Sequence, residues 1–170
     1  EADYEWTKQQ LRERRLDAIC PVLLSPSYLD LPAVQLADWI TKLEPHIVQV
    51  WLVQAWNMAF NISVKFSEHP DRWRWVQRGI GLLRDDGLRF NPNETLIYRE
   101  LAWFFQHKMG ANLDDANMRY KQEWLKEMSE VFAKKVPDLE ELINPQTDDA
   151  RRRSQLLTNK YKMDPQFMKQ

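Results

Sequence analysis

Apolar residues recur at helical spacing along most of the chain. In 33–43 (AVQLADWITKL), Val34, Ala37, Ile40 and Leu43 share one face, and in 114–135 Ala116, Tyr120, Trp124, Met128 and Phe132 repeat every fourth residue. Residues 5–19 carry a thinner stripe, Trp6, Leu11, Leu16 and Ile19, on a charged helix. The segment 47–60 (IVQVWLVQAWNMAF) is apolar on every side, which predicts a helix buried between neighbours. Further helices are expected over 71–88 and 94–108. Residues 61–70 instead alternate Ile62, Val64 and Phe66. With no second alternating run to pair with, an extended, packed loop is expected there.

Breakers and caps divide these segments. Residues 20–32 hold three prolines and form a connector. Asp30 can cap the next helix, with Pro32 in its first turn. Pro45 ends that helix. Gly79 and Gly81 lie inside 71–88, each costing about 1 kcal/mol against alanine, and so predict a close helix approach or a kink. Asp138 and Glu141 have the spacing of a capping box over 137–143, and a further helix is expected from about Thr147 to Met163. Asp164-Pro165 reads as another helix start shortly before the last residue, as in an incomplete unit.

Composition agrees with an all-α fold. Only four glycines occur in 170 residues, few for a fold of strands and tight turns, while eight tryptophans offer a large core. Lysine and arginine number 24 against 25 acidic residues, so the basic excess of a nucleic-acid binder is missing. The basic runs at 12–15, 134–135 and 151–153 are flanked by or mixed with acids and read as solvated faces. Cys20, the one cysteine, lies in AICPVLL with no nearby histidine and reads as a small apolar filler. The segment 47–60 is too short to span a bilayer and contains Gln49, Gln54 and Asn57.

An internal repeat organises the middle of the chain. TKLEPHIVQVWLVQAW aligns without a gap on LRFNPNETLIYRELAW, placing Pro45 on Pro92, Trp51 on Tyr98 and Ala55-Trp56 on Ala102-Trp103, a period of 47 residues. Tyr98, Leu101, Ala102 and Phe105 followed by Ala116 and Tyr120 resemble the tetratricopeptide repeat. The first unit matches only in part, with Gln54, Met58 and Arg84 at signature positions, and the period exceeds the usual 34. The segment from VQLADWITKLEP to YRELAWFFQHKMG is also similar to a bacterial family of membrane-anchored, uncharacterised proteins with such repeats. The resemblance implies antiparallel helix pairs stacked as a short right-handed solenoid with flanking helices. The organisation expected is a charged helix and connector over 1–30, a repeat core over 31–135, and C-terminal helices over 136–170. An N-terminal anchor outside this chain is the expected link to a membrane.

The resemblance also assigns faces. Tyr98, Leu101, Ala102 and Phe105 are expected to pack inside the helix pair, with Ala102 at the helix contact. The other face, with Glu100, Trp103 and His107 and with Arg99 beside it, is expected to line a concave groove together with Trp56 and Phe60 from the preceding unit. These six residues are the expected contacts for a protein or peptide partner. A flanking helix such as 149–162 is the alternative occupant of that groove. Glu100, His107, Asp114 and Asp115 could be imagined around a metal, but no HExxH or close histidine pair supports this, and structural pairing is expected. His46 and His69 read as loop residues. No catalytic residue, cofactor or metal is assigned. The function expected is a non-catalytic interaction scaffold, the alternative being a structural subunit packed within a larger membrane-associated assembly.

Overall fold

The computed structural model describes residues 39, 41–110, 113–133 and 136–169. The expectations for helix 5–19, Cys20, the connector 20–32 with Asp30 and Pro32, most of helix 33–43 and the basic pair 134–135 lie outside them. All regular structure among the described residues is helical, with no strand, as an all-α fold requires. The chain divides into two compact units, one ending at Asn117 and one beginning at Met118. This boundary falls inside the stretch 31–135 expected as one core.

The described part of the first unit is built chiefly on three helices, preceded by helical residues at 41–43. Helix α1, Val48–Trp56, widens into π turns over Asn57–Ile62 and closes with a 3-10 turn, Ser63–Lys65. Helix α2, His69–Gly81, passes into π turns over Leu82–Gly87 and a last α turn, Leu88–Phe90. Helix α3, Thr95–Phe105, ends in π turns over Gln106–Gly110. The extended loop expected over 61–70 is thus largely helical. The Asn61 side-chain amide donates to the Asn57 side-chain oxygen, and Ser63 Oγ donates to the Ala59 carbonyl at 2.5 Å. These backward bonds from residue i to i−4 accompany the helical course past Asn57, which the period-two pattern did not predict. Phe66 and Glu68, in the short link to α2, adopt the extended backbone. His69 opens α2 instead of lying in a loop.

The end of α1 packs on the start of α2, and the start of α1 on the end of α2, so the two form an antiparallel hairpin. Helix α3 packs on α1 and on the end of α2. As its all-round apolar sequence predicts, α1 is buried at Val48 and at every position from Val50 to Asn57. Burial of a side chain such as Val53 or Leu52 contributes about 1.5–3 kcal/mol. Gly79 marks the closest approach: a Cβ there would lie 2.6 Å from the Ala55 carbonyl oxygen and 3.1 Å from Ala59 Cβ. Gly81 has no such neighbour, the nearest atom to an added Cβ being an Asp85 carboxylate oxygen at 3.6 Å.

The starts of α1 and α3 share three hydrogen bonds at equivalent positions. Trp51 Nε1–H donates to the Pro45 carbonyl at 2.8 Å, and Tyr98 O–H donates to the Pro92 carbonyl at 3.0 Å. The Ile47 amide donates to Glu44 and the Val50 amide to Ile47. The Glu94 amide likewise donates to Asn91, and the Ile97 amide to Glu94. Asn91 Nδ2 also donates to the Pro45 carbonyl at 2.8 Å, tying the two turns together.

The second unit contains α4, Asn117–Val131 (all but its first residue), α5, Leu139–Ile143, α6, Asp148–Asn159, and α7, Pro165–Met168. Asp138 caps α5 as expected, while the Glu141 side chain of the expected box accepts from Arg153. Asp138 accepts from the Glu141 amide, Thr147 from the Ala150 amide and Asp164 from the Gln166 amide. Met128, Val131, Leu142, Leu157 and Tyr161 form the core, with Trp124 and Phe132 packed against it. Arg153 is a correction to the basic run. Arg151 and Arg152 are exposed, but Arg153 points inward and is buried. It donates to Asp149 at 2.7 Å, to Glu141 at 2.8 Å and to the Val131 carbonyl at the end of α4 at 3.3 Å. The bond to Asp149 holds its guanidinium above the usual value. Lys162 takes a left-handed backbone (φ 56°), which turns the chain so that the Met163 amide reaches the Leu157 carbonyl at 3.2 Å.

Candidate functional site

The residues expected to line a groove form an aromatic seam inside the first unit. Trp56 stacks on Phe60 (ring centroids 4.7 Å apart) and on Trp103 (5.9 Å), and Phe60 contacts Trp103 at 5.0 Å. His107 stacks on Trp103 at 3.7 Å, its Nδ1 lying 3.0 Å from the Trp103 carbonyl. Phe60 also meets Phe104 edge-on at 5.2 Å. Trp56, Phe60, Trp103 and His107 thus lie in contact with one another. The seam is packed, however. Trp56 and Glu100 are buried, at 3% and 0% exposure, while Phe60, Trp103 and His107 are partly buried. Of the six, Arg99 is the exposed one.

The faces of α3 differ from those expected at Tyr98 and Ala102, which are exposed, and at Glu100, which is buried. Ile97, Glu100 and Phe104 are buried. The exposed positions of this helix are Thr95, Tyr98, Arg99 and Ala102, at i, i+3, i+4 and i+7 on one side. Leu101 and Phe105 lie half-buried beside them. The expected inner alanine, Ala102, faces outward because α1 and the end of α2 reach α3 from the Ile97–Phe104 side.

A charge cluster lies beside the aromatic seam. Lys108 Nζ sits 4.2 Å from the centre of the Phe60 ring and donates to Asp114 at 2.6 Å. Arg72, from α2, donates to Asp114 at 3.0 Å and to Asp115 at 2.7 Å. Asp114 also accepts from the Ala116 amide at 2.9 Å, fixing the turn that precedes α4. Burial holds the Lys108 ammonium below its usual value, against the attraction of Asp114. The hydrogen bond from Arg72 holds Asp115 below the usual carboxylate range. Sequence reading paired Asp114 and Asp115 with Glu100 and His107. The carboxylates meet Lys108, six residues before Asp114, and Arg72, a long-range contact that no local spacing reveals.

This cluster binds charges to each other. The Lys108 amine is buried and both carboxylates are engaged, so the cluster pins Arg72 and Lys108 to the Asp114 turn. Among the described residues, no three histidine, cysteine, aspartate or glutamate side chains gather as a metal set. In the second unit, an open groove of about 410 Å³ is lined by Val136, Pro137, Leu139 and three charged residues, of which Lys169 pairs with Glu140. No described helix is long and apolar enough to cross a membrane. No protein-family model matches the chain, and no curated protein or solved structure matches it significantly.

Proposed function

We propose that the chain is a non-catalytic protein-interaction scaffold of tetratricopeptide-like helix pairs, stacked as a short right-handed solenoid. The three hydrogen bonds shared by the starts of α1 and α3 support a repeat, because they join residues at equivalent positions of the aligned segments. The observation that carries the function is the open side of α3. Tyr98 is 52% exposed, with Arg99 and Ala102 beside it, on the helix face whose counterpart in α1 is buried. Aromatic and arginine side chains are the usual anchors of interfaces. The contact surface thus moves from the packed aromatic seam to Thr95, Tyr98, Arg99 and Ala102.

A photo-crosslinking residue placed at Ala102 in the intact cell tests this reading. The expected result is one discrete protein adduct, with none from the same residue at exposed Arg74. Adducts of equal yield at both positions, or none at either, would overturn it.

The second reading, a structural subunit of a larger membrane-associated assembly, is favoured by apolar side chains exposed in both units. Leu43, Leu113, Leu125, Val136 and Phe167 are each exposed. It predicts self-association or precipitation of the isolated chain, where the scaffold reading predicts a soluble monomer in sedimentation.

A further inference from the structure

No further inference is drawn: the strongest candidate, the surface patch on α2 where Arg78 lies over the Trp75 ring and exposed Phe66 stacks on that ring, carries nothing because nothing in the structure shows what covers it.

Discussion

Helices α1 and α3 begin alike and end in different surroundings. Each follows a proline turn, and each sends its first large aromatic, Trp51 or Tyr98, back to the proline carbonyl. Each carries an alanine four residues later, Ala55 or Ala102. Yet Trp51 is 3% exposed and Tyr98 is 52% exposed. Ala55 is sealed under Gly79 while Ala102 faces outward. Local pattern thus sets the helix and its hydrogen-bonded start. Which side is covered depends on the helices that pack against it, and at α1 a glycine of α2 allows the closest approach.

Paired substitutions can break this comparison. The largest difference is expected between Trp51→Ala and Tyr98→Ala. The first opens a cavity in the core and should cost about 3–5 kcal/mol. The second removes an exposed ring and one hydrogen bond, and should cost about 1 kcal/mol or less. Urea denaturation of the two variants decides it, and equal losses would mean that Tyr98 is covered. A loss of about 3–5 kcal/mol is also expected for Asp114→Ala, which takes the carboxylate from two buried cations, Lys108 and Arg72. That variant shows whether the covered region depends on its charges as well as its rings.

Smaller effects sharpen the same contrast. Ala55→Leu should cost about 1–3 kcal/mol through overpacking against α2. Ala102→Leu should stay within about 0.5 kcal/mol of the parent protein. Burial lowers the Lys108 pKa in the folded chain, so between that value and the unfolded value near 10.5 the unfolded chain binds more protons. Its contribution to stability therefore rises with pH across that window. Chemical denaturation at about pH 8 and 10 should show a steeper rise for the parent than for Lys108→Met. Asp115 has its window at the acid end. Its lowered pKa stabilises the fold above about pH 3.8, and the gain fades as acid protonates it, weakly because the side chain is mostly exposed. The smallest effect is a gain of up to about 1 kcal/mol for Gly81→Ala, where a Cβ has room. The same change at Gly79 should destabilise.

The sequence made local signals legible. Asp138 caps the helix it was expected to cap, and helices start at Thr147 and Asp164 as expected, each capped by that side chain, because capping uses atoms two or three residues away. The burial of α1 was readable too, since no side of it is polar. The helical course through Asn61 to Lys65 was hidden. This segment packs on the start of α2, and that tertiary contact does not show in the alternation of Ile62, Val64 and Phe66. At α3 the aromatic grouping was legible, while its outward face was not. Both sides of that helix carry rings, and only the approach of α1 and α2 chooses between them. Arg72 and Asp114 lie 42 residues apart, beyond the reach of any spacing argument.

Thiol accessibility tests the central contrast most directly. In a Cys20→Ser background, which removes the one native thiol, Ala55→Cys and Ala102→Cys are made as separate variants. The thiol of the Ala102→Cys variant should react with a thiol reagent almost as fast in the folded chain as in urea. The thiol of the Ala55→Cys variant should react more slowly by about a thousandfold or more, since it needs the α1–α2 contact to open. Equal protection at the two positions would contradict the account, because it would mean that the α3 face is already covered.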